Sequence, residues 1–316
     1  MQTLTVVVPA YNESEGLREF HARLAAVFDQ LDLTASVLYV DDGSRDDTWA
    51  VMESLRAGDA RVATLKLSRN FGKELALTAG LDHADADAVV VIDADLQDPP
   101  ELIPQFVARW REGYDVAYGT RSTRAGESRL KKATAAAFYR IMERLSATPV
   151  PRDTGDYRLM SRRALDALKK LRERQRFMKG LFTWVGYKQT AIVYDRDARF
   201  AGTSKFNYWR LWNFALEGIT SFSTAPLKIA TYVGVLTALL SFVFGLFVFG
   251  KALLFGDVVR GYPTLMIVVL FLGGVQLMAL GLIGEYLGRL YMEVKQRPLY
   301  LIDEHHEPGQ RYSTKD

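Results

Sequence analysis

The chain has 316 residues, 49% of them hydrophobic, a formal net charge of +3 and no cysteine. That length allows one large domain or two smaller ones. The missing cysteines exclude disulfides and any thiolate metal site. So small a charge, with no recognisable binding signature, argues against nucleic acid as a partner. The apolar residues are unevenly spread: the first 200 residues read as an α/β domain, and the stretch after Lys228 does not.

The opening MQTLTVVVPAYNE lacks a basic leader and a long apolar core, so it reads as a first strand, Leu4 to Val8, and not as a signal peptide. Pro9 ends that strand, and Tyr11, Asn12 and Glu13 stand at its carboxyl end before a helix from about Ser14 to Leu31. A second strand, Val37 to Val40, runs into Asp41-Asp42-Gly43-Ser44. Acidic residues at such a strand end accept hydrogen bonds from a nucleobase N–H or ribose hydroxyls. Ser44 and Asp46 or Asp47 are good caps for the next helix, so Ser44 reads mainly as a cap, and the sequence leaves Asp42 open between ligand and structure. The third strand, Val62 to Leu67, is followed by Ser68-Arg69-Asn70-Phe71-Gly72-Lys73 and a helix, Glu74 to His83. Arg69 and Lys73 thus flank a helix N-terminus, where anions are favoured.

The stretch VVVIDADLQDPP, Val89 to Pro100, organises the rest. Four β-branched residues make a buried strand, and Asp93 and Asp95 leave its carboxyl end, the place where open α/β sheets build ligand sites. Two carboxylates one residue apart can converge on one hard cation, Mg²⁺ or Mn²⁺, whose remaining positions go to water and phosphate. A solvated Asp-rich loop is the plainer alternative. A helix from Pro100 to Glu112 and a fifth strand, Asp115 to Tyr118, come next, then Gly119-Thr120-Arg121. Strands alternating with helices predict a doubly wound, mostly parallel sheet with its polar clusters on one edge. G-x-G-x-x-G after the first strand and G-x-x-x-x-G-K-[ST] are both missing, which disfavours a redox dinucleotide enzyme and a P-loop NTPase.

Arg121 to Lys132 is a basic loop, Ala133 to Leu145 a helix, and Asp153 to Arg158 a polar turn ahead of a helix from about Arg162. Ile192 to Tyr194 reads as a short strand, and Arg199 to Lys205 as a basic, Gly-containing loop. From Phe206 to Phe222, aromatic residues mixed with Lys205 and Arg210 suit a helix lying in a headgroup zone. Ile229 to Gly250 and Pro263 to Gly284 carry no charge, and each is long enough to cross a hydrocarbon core of roughly 30 Å. Their short connection makes them a hairpin. The basic residues outside it, against only Lys251 and Arg260 within, place both ends of the chain in the cytoplasm. Glycines 273, 274, 281, 284 and 288 along the second span favour close helix packing and allow a homo-oligomer, a tetramer among the assemblies. The His305-His306 pair reads as part of a solvated polar tail.

The runs VVVPAYNE, VDDGSRDDT, LSRNFGKELALTAGL, VIDADLQDPPELI, DTGDYRLMSR and RFAGTSKF, in that order and ahead of a membrane hairpin, closely resemble the polyprenyl-phosphate glycosyltransferases. These are inverting family 2 glycosyltransferases of GT-A fold, related to dolichol-phosphate mannose synthases, and the bactoprenol glucosyltransferases are the most similar subgroup. The resemblance implies a cytoplasmic GT-A domain over residues 1–200, juxtamembrane helices over 201–228, a hairpin over 229–290 and a tail over 291–316. It implies transfer of a sugar, glucose from UDP-glucose by subgroup, to undecaprenyl phosphate at the bacterial inner membrane, with Mg²⁺ or Mn²⁺ held by Asp93 and Asp95 beside Gln97. Pro9, Tyr11, Glu13, Asp42, Lys73, Asp93, Ala94 and Asp95 match the nucleotide-sugar positions. Arg121, Arg129, Lys132, Arg158, Arg199, Ser204 and Lys205 match the acceptor-phosphate side, and Asp156, Asp95 and Arg121 are the expected catalytic residues. Asp156 is open between a general base and a residue that orients sugar hydroxyls or a nearby arginine. A processive polysaccharide synthase would carry Q-x-x-R-W, whereas Gln175 is followed by Arg176, Phe177, Met178 and Lys179. A donor with another base or sugar, and a non-catalytic nucleotide-binding scaffold, are the remaining alternatives.

Overall fold

The computed structural model describes residues 1–122, 154–174, 176–195, 225–255 and 261–309. Outside these fall the side chain of Arg121 and the expected loop and helix over 123–145, with Arg129 and Lys132. Arg199, Ser204, Lys205, the juxtamembrane stretch 206–222 and the link between the two apolar helices fall outside them as well.

Among the described residues eight strands form one sheet: β1 Thr3–Ala10, β2 Thr34–Asp41, β3 Val62–Leu67, β4 Ala88–Val91, β5 Val116–Arg121, β6 Thr154–Ser161, β7 Gln189–Tyr194 and β8 Ile302–His306. Their spatial order is β7-β5-β6-β4-β1-β2-β3-β8. The β2–β1, β1–β4, β2–β3 and β5–β7 pairs are parallel. β6 runs antiparallel to both β4 and β5, and β8 antiparallel to β3. The helices are α1 Leu17–Phe28, α2 Thr48–Gly58, α3 Lys73–His83, α4 Ile103–Arg111, α5 Arg162–Lys169, α6 Met178–Trp184, α7 Ala225–Phe255 and α8 Tyr262–Val294.

The central strands are apolar on both faces because helices cover both. Alternation along β1 divides the core: Leu4, Val6 and Val8 pack with Phe20 and Leu24 of α1 and Phe106 of α4. Val7 packs on the opposite face with Ala76 and Leu77 of α3, Leu165 of α5 and Leu181 of α6. Gly80 lets α3 lie close against the sheet, since a Cβ there would meet Val7 Cγ1 at 2.4 Å.

Two segments depart from the sequence reading. The expected polar turn at Asp153 to Arg158 is mostly strand: β6 carries Asp156 and Arg158 with Tyr157 between them, and Arg158 pairs in register with both Val91 and Tyr118. The expected tail is also structured. After α8 the chain returns to the sheet, and His306, His305 and Glu304 of β8 pair with Thr64, Leu65 and Lys66. The His306 ring stacks on Trp49, the His305 ring meets His83 edge-on, and the Tyr300 hydroxyl donates to Asp82 at 2.9 Å.

α7 and α8 contact each other. Several of their large apolar side chains, among them Leu236, Leu240, Phe242, Phe271, Leu277 and Leu280, are more than half exposed. Among the described residues one stretch, Phe271–Val294, is long and apolar enough by length and composition to cross a membrane. It begins and ends later than the expected second span. Ala230–Phe244, within the expected first span, is a shorter apolar stretch.

Candidate active site

The carboxyl ends of β1, β2, β3 and β4 meet on one edge, and each contributes a loop there. The β1 and β2 loops are locked together. Asn12 Oδ1 accepts from the Arg45 N–H at 2.8 Å, the Asn12 N–H donates to Ser44 Oγ at 3.0 Å, and the Glu13 N–H donates to Thr48 Oγ1 at 2.9 Å. Gly43 has φ +66°, and a Cβ there would meet the Arg69 carbonyl carbon at 2.4 Å. The β2 and β3 loops are in contact only because that residue has no side chain.

Pro9 is buried in β1, and Tyr11 is exposed at the rim. Asp42 is buried, and its two oxygens accept from the Phe71 and Gly72 N–H groups at 2.7 and 2.9 Å. Burial pushes its carboxyl up, and those two N–H groups oppose the rise. The residue read as a nucleotide contact therefore spends both oxygens on the chain that leads into Lys73. Its neighbour Asp41, not singled out from the sequence, is fully buried beside it. Its Oδ1 takes the Ser44 N–H at 3.0 Å, and its buried Oδ2 has no partner among the described residues.

Lys73 opens α3 and bridges two carboxylates. Its Nζ lies 2.7 Å from Asp93 and 2.7 Å from Asp156. The sequence placed Asp93 and Asp156 in separate motifs, and the β4–β6 pairing brings them to one lysine. Burial alone would raise the Asp156 carboxyl, but Lys73, then Lys179, outweigh it and hold that group at about 2. Burial likewise pushes Asp93 up against the pull of Lys73, and the two carboxylates raise the Lys73 ammonium despite the cost of burying it.

The loop after β4 is pinned from beneath. Tyr157 donates to the Pro99 carbonyl at 2.9 Å, and the Tyr194 hydroxyl donates to buried Asp98. Ala94 is buried, and Leu96, also buried, adopts φ +59° in the turn that follows Asp95. Asp95 Oδ1 accepts from the Gln97 N–H at 3.2 Å.

Arg158 is 4% exposed. Its guanidinium lies 3.8 Å from the centre of the Phe182 ring and donates to the Gly155 and Asp156 carbonyls at 2.9 and 3.2 Å. Burial brings it down to about 10. In this arrangement Arg158, expected from the sequence on the acceptor-phosphate side, supports the backbone that carries Asp156.

Among the described residues no three histidine, aspartate or glutamate side chains form a closed metal cage. The donors present nevertheless fit a hard cation of the magnesium type. Asp93 already faces a cation, the Lys73 ammonium 2.7 Å from its Oδ1, and Asp95 stands two positions on. One or two carboxylates, completed by water and phosphate, are what such an ion uses.

Comparison with known proteins agrees with this architecture. Residues 5–169 match the glycosyl transferase family 2 domain, and residues 225–290 match the GtrB C-terminal hairpin. An uncharacterized glycosyltransferase of Synechocystis is 52% identical over 95% of this chain and 95% of its own. The SfII prophage-derived bactoprenol glucosyl transferase of Shigella flexneri is 46% identical over 96% of this chain and 98% of its own. A prophage bactoprenol glucosyl transferase homolog of Escherichia coli is 44% identical over 95% and 98%. With the strand-edge carboxylates, the Lys73 bridge and matches along nearly its whole length, the chain belongs to glycosyl transferase family 2 and is a glycosyltransferase.

Proposed function

We propose that the enzyme transfers glucose from UDP-glucose to undecaprenyl phosphate, with inversion, at the cytoplasmic face of a bilayer, giving a lipid-linked sugar for envelope glycosylation. One observation carries the reading: a charged cleft built on Lys73, Asp93 and Asp156 belongs to the same chain as two long helices with exposed apolar faces. Apolar surface in water costs about 25 cal/mol per Å², and a patch running the length of two helices is far beyond what soluble surfaces carry. Lipid is the solvent such faces suit. The 24 residues of Phe271–Val294 span about 36 Å as a helix, enough for a hydrocarbon core.

The acceptor's chemistry accounts for the rest. A phosphate monoester has a second pKa of about 6 and is largely dianionic at neutral pH, so it needs little help from a base. A carboxyl held at about 2 is also a poor proton acceptor there. Asp156 therefore orients sugar hydroxyls, with Lys73 fixing its position and Arg158 supporting its backbone. The harder task is bringing two anions together, and Arg121, Arg129, Lys132, Arg199, Ser204 and Lys205 supply cations and a hydroxyl for it. On the donor side, Asp42 and the buried Asp41 shape the loops beneath the base, with Pro9, Tyr11, Glu13 and Ala94 around it. Asp93 and Asp95, with Gln97 nearby, would hold Mg²⁺ or Mn²⁺, and the bound ion would stabilise as a Lewis acid the charge that grows on the leaving diphosphate.

The test is a donor panel: purified full-length protein, undecaprenyl phosphate, Mg²⁺ or Mn²⁺, and UDP- and GDP-sugars, with lipid-linked sugar as the readout. UDP-glucose should give product and excess chelator should abolish it. Product from a GDP-sugar alone would replace the donor, and binding without product from any donor would reject the transfer.

A further inference from the structure

The Lys73–Asp156 bridge has a carboxylate behind it that the reading above leaves without a task. Glu74 follows Lys73 in the first turn of α3 and is half-buried. Its Oε2 accepts from the Met178 N–H at 3.2 Å. Met178 opens α6, and its N–H is one of those a first helical turn leaves without an internal partner. Two residues of this short helix act on Asp156 and its support. Lys179 pulls the Asp156 carboxyl down, and the Phe182 ring lies under the Arg158 guanidinium. The chain Glu74, α6, Arg158, Asp156 thus returns to Lys73, the neighbour from which it began.

The charged groups around Glu74 come from each element packed there: Lys73 on its own helix, Asp156 and Arg158 on β6, Lys179 on α6, and Arg176 just before α6. Burial first, then Asp156, push the Glu74 carboxyl up to about 7, against Lys73, the Met178 N–H and Lys179.

We propose that Glu74 is a positioning residue for the transfer reaction: by accepting from the Met178 N–H it seats α6 so that Lys179 and Phe182 keep Asp156 and Arg158 in register with Lys73. Glu74 touches neither sugar nor phosphate and acts through α6. The inference rests on the reading of Asp156 as the residue that orients the sugar.

The experiment compares full-length wild type, Glu74→Ala and Glu74→Gln in lipid nanodiscs, by steady-state kinetics and by hydrogen exchange of residues 178–184. Glu74→Ala should lower kcat about tenfold, the worth of one hydrogen bond to a charged group, with the donor KM changed by less than about threefold. Exchange of α6 should quicken. Glu74→Gln keeps an oxygen for the Met178 N–H but not the charge, so it should hold exchange near wild type and sit about threefold below wild type in kcat at pH 8, the level wild type reaches in acid. Wild-type kcat should fall below about pH 7 as the carboxyl takes up its proton, and the glutamine variant should not show that step. If the alanine variant does not fold, the glutamine pH profile decides. Unchanged α6 exchange in Glu74→Ala, a glutamine variant as damaged as the alanine one, or a glutamine profile that keeps the step would each overturn the proposal. If wild type turns over no donor, the reading of the reaction has failed, while the exchange data still decide whether Glu74 seats α6.

Discussion

Replacing Lys73 by methionine keeps the length of the side chain and removes the cation between Asp93 and Asp156. Both contacts are 2.7 Å, and the side-chain exposures are 48% for Lys73, 23% for Asp93 and 11% for Asp156. A hydrogen bond between charged groups contributes about 1.5–3 kcal/mol. With half of the lysine in water, the two together come to about 2–3 kcal/mol after screening. The proton balance agrees. Asp156 is held at about 2, against about 3.9 for a free aspartate, and each unit is about 1.4 kcal/mol. A folded pKa below the unfolded one gives stability that is complete above about 4 and is lost as pH falls through about 2. Thermal unfolding of the purified protein in chelator at pH 7.5 should therefore show Lys73→Met melting about 5–10 °C below wild type. The gap should narrow clearly at pH 3, and Lys73→Arg should recover most of it. A melting point within a degree of wild type at pH 7.5, or a gap that does not shrink in acid, would refute the bridge as the source of this stability.

Other consequences are as direct. Asp93→Asn should abolish lipid-linked product at any Mn²⁺ concentration, whereas Asp156→Asn should retain measurable turnover; a loss as complete as that of Asp93→Asn would make Asp156 the base. Gly43→Ala must adopt a positive φ and push the Arg69 backbone away from 2.4 Å, so it should cost about 2 kcal/mol or more in denaturant unfolding. It should also weaken nucleotide binding, read by calorimetry. Ending the chain at Leu299 deletes Tyr300 and β8. It should lower the melting temperature and increase aggregation in size-exclusion chromatography, because it bares the β3 edge.

Much of the fold was legible because the central strands are apolar runs that end in acidic or glycine-containing loops. Val89 to Ile92 followed by Asp93 is unambiguous for that reason, and the same logic placed β1, β2 and β3. β6 was missed because Thr154-Gly155-Asp156 carries turn-forming residues, although Tyr157 and Leu159 lie on one face and Met160 on the other. Its polar positions are where the site is built. β8 was missed because IDEHH has no apolar rhythm; ring contacts with Trp49 and His83 and charges facing Lys66 hold it, none of them visible without the partner strand. Asp42 could not be separated from Asp41 in sequence. Only the direction of the Phe71 and Gly72 N–H groups decides which carboxylate spends both oxygens on that chain and which keeps one without a partner among the described residues.

The return of residues 302–306 to β3 fixes an order of assembly. The ribosome delivers β1 to β7 first, then both long helices, and only afterwards the strand that closes the far side of the sheet. Throughout synthesis of α7 and α8, the nascent enzyme presents an unsealed row of main-chain donors and acceptors along Val62–Leu67. Completion of the sheet thus waits on synthesis of both long helices, and a polypeptide that stops short of residues 302–306 is left with an adhesive flank.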